Sequence, residues 1–247
     1  MLNNNTIYKF HVANLHSIQT AIEHLKRTIH VAIASENKKL ILSYTRLLSL
    51  TLGAWAEVRL NKLLYETEGF STEEREKIKA KGSQFEKWEL SIELAVRSHY
   101  GIQNQPLTDT NLTHSVYSRY QTLNAILEQD LKPVIEIRNK LAHGQWEYPF
   151  TDGLDLAIDK KIAIEAENVQ SLHYKYVLLN HLSQIIHDLI VSKPTFERDF
   201  DKYYQKFAST RQHLLNKSFV TFCSDIKERA VRGKEARAQN VANIPNA

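Results

Sequence analysis

Seven glycines and five prolines among 247 residues leave few places for a chain to turn. Glycine and proline punctuate local structure, so their scarcity favours long helices over a turn-rich β fold. The apolar residues agree. Leu15, Ile18, Ile22, Leu25, Ile29 and Ala32 recur at helical spacing and predict a helix from about Val12 to Ala34. Ser35 then reads as the cap of a second helix reaching about Glu66, with Glu36 in its first turn. The middle of that helix, Leu47 to Leu64, is apolar on more than one face around Gly53-Ala54-Trp55. A helix of that kind is central or lies at a subunit interface. Glu57, Arg59 and Asn61 interrupt it.

After the break at Gly69-Phe70-Ser71-Thr72, a short charged helix is expected over Glu73 to Lys81. Ser83 and Glu86 match a capping box and open a helix over Gln84 to Tyr100. Gly101 to Thr113 reads as a polar loop. A helix over Ser115 to Gln129 follows. Asp130 then caps a new helix, Leu131 to His143, with Pro133 in its first turn, or the two form one kinked helix. Leu154, Leu156 and Ile158 alternate, as do Ile162 and Ile164 beyond Asp159-Lys160, which predicts a small β-hairpin over 154–164. Glu165 to Ser192 and Pro194 to about Arg229 are the last helices. The expected architecture is all-α: one domain over 1–226 with a hairpin insertion, then a basic tail over 227–247 (Arg229, Arg232, Lys234, Arg237) with little to bury and a tendency to fray.

Composition narrows the function classes. Hydrophobic residues at 43% and charged residues at 24% suit a globular domain with its own core. The single cysteine, Cys223, excludes an intrachain disulfide framework, and a reducing cytoplasm is the simple expectation. No basic region followed by an apolar run opens the chain, and no apolar stretch is long enough for a bilayer. A net charge of +4 permits nucleic-acid binding without demanding it. His24 and His30, like His181 and His187, are six residues apart, and neither His-Glu-x-x-His nor a cysteine pair occurs, so no metal is expected. No cofactor is expected either, because no glycine-rich loop follows a predicted strand, and no Gly-x-Ser-x-Gly elbow occurs.

One stretch carries chemistry: Arg138-Asn139-Lys140-Leu141-Ala142-His143-Gly144. Gly144 suits the left-handed residue that ends a helix. A fixed cation and a group that titrates near neutral pH are thus held at one helix end. RNA cleavage without metal needs a base for the 2′-hydroxyl and an acid for the leaving oxygen, and histidine serves as either. Guanidinium can stabilise the phosphoryl oxygens through two parallel hydrogen bonds. Arg138 and His143 lie about 140° apart on an ideal helical wheel, whereas Asn139 and His143 share a face. Arg138 therefore swings round on its stem, the last turn unwinds, or a second subunit completes the pair. Glu57 and Arg59 are candidate supporting residues, either orienting the pair or pairing with a neighbouring helix. Lys140, Trp146 and Tyr148 are candidate RNA contacts, the aromatics by stacking on bases or simply by packing at the helix end.

The Arg138-Asn-Lys-Leu-Ala-His143 pattern in a helical chain resembles the HEPN superfamily, over the motif and the helical layout of roughly the first two-thirds of the chain. The resemblance implies a helical bundle that dimerises and brings two motifs together. Many members are metal-independent endoribonucleases, several acting as toxins or in antiviral defence, with a protein antitoxin or regulator as a partner. Others have lost activity and bind RNA, nucleotides or proteins. By this resemblance Arg138 and His143 are catalytic and Asn139 positions the phosphate or the histidine. Some toxin members place a tyrosine two residues after the histidine. Here that position is Gln145, and the nearest tyrosine is Tyr148.

Overall fold

The computed structural model describes residues 2–242. Helices α1 (Asn4–Ala34) and α2 (Lys38–Leu63) form a long hairpin. Helices α3 (Thr72–Lys79) and α4 (Gln84–Tyr100) follow, both opened by the capping boxes of Ser71 with Glu74 and Ser83 with Glu86. Next come α5 (His114–Ile126), α6 (Lys132–Ala142) and α7 (Ile158–Ala166). Helices α8 (Val169–Val191), α9 (Lys193–Asn216) and α10 (Phe219–Ala242) complete the fold. No strand occurs among the described residues, so the chain is all-α. No described helix is long and apolar enough to cross a membrane.

The apolar central helix is α2, packed against α1, α6 and α8. Trp55, Leu52 and Leu60 are buried between Ile22 and Ile29 of α1 and Leu179, Leu182 and Ile186 of α8, within one core. Burying the side chains of three helices on one rod removes most of their apolar area from water, the main stabilising term.

Several sequence expectations change in detail. Ser35 ends α1 instead of opening α2, because its hydroxyl donates back to the Val31 and Ala32 carbonyls. Glu36 takes a left-handed turn (φ 54°), and Asn37 caps α2 by accepting from the Leu40 N–H. The first helix also starts earlier, at Asn4, capped by Asn3.

Between α5 and α6 the helix does not restart. Residues Leu127–Leu131 form a π-helical turn that makes α5 and α6 continuous. Pro133 explains it: proline donates no backbone hydrogen bond and its ring clashes with the carbonyl one turn back, which a wider turn accommodates. Asp130 does not cap. It forms an ion pair with Arg211 of α9.

The hairpin over 154–164 is not formed. An isolated antiparallel bridge joins Phe150 and Leu156, and residues from Ile158 onward are α7. Alternation over so few residues does not separate the two periods. Asp159 lies in the first helical turn, and Lys161 pairs with Glu165 four residues on; both favour helix.

The last expected helix is two. Lys217 is extended, and the Ser218 hydroxyl accepts from the Thr221 N–H to restart the chain as α10. The basic segment from Lys227 is helical as far as Ala242, where a frayed tail was expected, and its last five residues lie outside the described ones. Ile226 is buried against the body, and Lys227 pairs with Glu36.

Two histidines near this junction make stability depend on pH. Burial, helped by the charge of Lys26, holds His30 and His173 below the ordinary value of 6.5. The unfolded chain titrates at the ordinary value and so binds more protons once the pH drops below it. Stability is expected to be full above about pH 6.5 and to fall as pH falls further. Urea unfolding at neutral and mildly acidic pH checks this, and a His30→Gln/His173→Gln protein should show a flatter profile.

Candidate functional site

One face of α2 builds the surroundings of the motif. Arg46, Leu50, Gly53 and Glu57 are spaced four, three and four residues apart, which places them on one stripe. That stripe meets α6, α7 and the segment between them.

Gly53 sets the distance. A Cβ at this position would stand 2.2 Å from Arg138 Cβ and 2.6 Å from Cγ. Only a residue without a side chain lets α6 come so close, and the stem of Arg138 lies directly across the α2 backbone. One turn further along α2, Glu57 Oε2 accepts from Arg138 Nη2 at 2.6 Å. Arg138 Nη1 donates to Asn139 Oδ1 at 3.1 Å. The guanidinium is thus oriented by two partners while its side chain stays 32% exposed.

The helix ends as its sequence suggests. His143 is the C-cap, Gly144 adopts φ 75°, and the N–H groups of Gly144 and Gln145 satisfy the Leu141 and Lys140 carbonyls. His143 is exposed and Asn139 is exposed one turn before it. Among the described residues, no side-chain hydrogen bond reaches His143, and none joins it to Arg138. The motif is therefore split, with Arg138 turned to α2 and His143 turned to solvent.

The other candidates separate. Lys140 Nζ donates to the Phe150 carbonyl, which ties α6 to the segment beyond it. Trp146 packs with Ile137, Leu141 and Ile164, and its Nε1 donates to the Leu141 carbonyl at 3.0 Å. Its role here is packing. Tyr148 is exposed, with Lys161 Nζ 5.9 Å from its ring centroid. Arg59 leaves the stripe. It points to α8, where its Nε donates to Ser183 Oγ at 3.1 Å, and burial lowers its pKa.

Arg46 escaped the sequence reading. It is 5% exposed. Its Nε donates to the Trp146 carbonyl at 3.3 Å and its Nη1 to the Ile164 carbonyl. Burial pulls its pKa down, and the charges of Glu167, Glu165 and Glu147 oppose that. A strongly buried cation bound to two carbonyls straps the residues after the motif to α2. The signal was present in its spacing from Glu57, eleven residues or three turns away. Lys160 of α7 reaches Glu136 of α6 at 2.7 Å and adds a second strap.

Among the described residues, no group of three or more His, Cys, Asp or Glu side chains is placed to hold a metal ion. The chain matches no family model, no curated protein and no solved structure.

Proposed function

We propose that this chain is a HEPN-like, metal-independent endoribonuclease acting as a homodimer in the cytoplasm, in a toxin or antiviral setting and under a protein regulator. One observation carries the reading: a guanidinium held by Glu57 and Asn139 stands on the same short helix as an exposed, unengaged imidazole. Arg138 has five N–H donors, and those left by Glu57 and Asn139 can meet phosphoryl oxygens. The 2′-oxygen attacks phosphorus, His143 takes or gives a proton, and the bond to the 5′-oxygen breaks. The products are a 2′,3′-cyclic phosphate and a 5′-hydroxyl. Because Arg138 and His143 face different ways, the second motif of a dimer supplies the complementary acid or base.

The test is cleavage of mixed RNA in EDTA by wild type and by folded Arg138→Ala and His143→Ala proteins. Cyclic phosphate ends from wild type, lost in both variants, support the proposal. Equal cleavage by all three, or products ending in a 3′-hydroxyl, overturn it. Glu57→Gln keeps the hydrogen bond and removes the charge. It is expected to slow cleavage about tenfold through misplaced Arg138, with a stability change below about 1 kcal/mol because the pair is part-exposed. Unfolding curves and initial rates measured together check both parts.

A second reading, a non-catalytic module that binds RNA, a nucleotide or a protein, is favoured by the same Arg138 contacts taken as an α2–α6 fastening. It predicts that His143→Ala leaves affinity unchanged and that there is no turnover to lose.

A further inference from the structure

A second cationic surface is built by α8 and α9 alone. His181 of α8 and Lys202, Gln205, Lys206, Ser209 and Thr210 of α9 line one groove. The pairs 202/205, 202/206, 205/209 and 206/209 are each three or four apart, so these residues share one edge of α9.

The two lysines are four residues apart and exposed on one edge of α9. Their ammonium groups both approach the Tyr203 ring, at 5.7 and 5.4 Å from its centroid. Like charges four residues apart on a helix are mildly destabilising, and a nearby anion relieves this. Several other lysines of the chain have one: Lys62 pairs with Glu66, Lys160 with Glu136 and Lys175 with Glu167. Among the described residues, neither Lys202 nor Lys206 forms such a pair. Asp199, which feels the charge of Lys202, has both oxygens engaged by Arg198, at 3.0 and 2.8 Å.

His181 faces the same charge. Burial and the charge of Lys206 hold its pKa below the ordinary value, so at neutral pH the ring is uncharged and has one N–H to donate. Gln205 adds a carboxamide and Ser209 a hydroxyl. The groove thus offers two mobile cations and several neutral donors.

We propose that this groove binds a phosphate group, free or in an RNA backbone. A phosphate supplies a compensating negative charge, and its several acceptor oxygens match two ammonium groups together with neutral donors. A carboxylate has only two oxygens and one charge. Lysine suits the task because its rotatable donors act as a point charge needing no fixed fork. The proposal does not depend on Arg138 or His143.

The test follows the imidazole of His181 by NMR in the full chain, with inorganic phosphate as one probe and octauridylate as the other, against chloride at equal ionic strength. Either phosphate probe is expected to shift the His181 signals saturably and to raise its pKa. A Lys202→Gln/Lys206→Gln protein should bind about tenfold more weakly or worse, and its salt dependence on RNA should shallow by about 1.4 for two lost phosphate contacts. A response to RNA alone assigns the groove to backbone phosphates, and a response to both probes assigns it to the phosphate group as such. A His181 signal that ignores both probes, or that responds equally in chloride or in the double variant, overturns the proposal. An Arg138→Ala/His143→Ala protein should retain the response, which separates this site from the cleavage reading.

Discussion

Gly53→Val is expected to lower the unfolding free energy by about 3 kcal/mol, the upper end of the cost of overpacking a core. The clash is with the first two carbons of the Arg138 side chain, at 2.2 and 2.6 Å, and the Val134 carbonyl lies 3.2 Å away. Those first two carbons are the fixed root of the chain, so the helices themselves must separate. Valine also gains little from helix propensity. Alanine should cost less, because its better propensity offsets part of the clash by about 1 kcal/mol. Urea unfolding of the wild type and both variants decides the matter, and wild-type stability in Gly53→Val would show that α6 can move away freely. The same shift carries Arg138 from Glu57, so the proposed RNA cleavage should fall further than in Glu57→Gln.

Arg46→Leu is expected to cost about 2 kcal/mol or more. The Trp146 carbonyl loses its donor, and the Ile164 carbonyl keeps only the Glu167 N–H. A buried polar group left without a partner costs about 1–3 kcal/mol. Removing a buried cation returns some of this, because its desolvation is no longer required. The sharper effect is local. Amide exchange should accelerate across residues 145–157 and in α7, while α8 keeps its protection. Uniform acceleration across the chain would show that Arg46 supports the whole core and not the strap. Arg46→Lys should recover little, since a single ammonium lacks the fork that reaches both carbonyls.

How much of this was written in the sequence depends on the distance over which each feature acts. The long helices were legible because their apolar residues repeat at one period over many turns, and the capping boxes at Ser71 and Ser83 because they are local. Glu57 stood out because a carboxylate within an apolar helix needs a partner. Arg46 did not, because it sits one residue before the apolar run and reads as a surface cation there. Gly53 was visible as a glycine, but the close approach that requires it comes from a helix 85 residues away. The hairpin was misread because Ile158 and Ile162 fit either period, and both are exposed in α7, so burial does not decide between them. The split between Arg138 and His143 was anticipated by the helical wheel.

The π-helical turn before Pro133 holds one residue more than an α-turn would, and each residue of an α-helix is worth about 100° of rotation. It absorbs that residue within one wide turn, so α6 keeps the facing it would have in a regular helix one residue shorter. Deleting one residue from 127–131 would wind α5 and α6 into a single regular helix and leave Arg138 against Gly53 and Glu57. A one-residue insertion in the regular part of α6 finds no second wide turn to absorb it and would turn Arg138 by about 100°, off Gly53 and Glu57 and towards a different neighbour. The motif's direction is thus buffered against the loss of a residue and exposed to the gain of one.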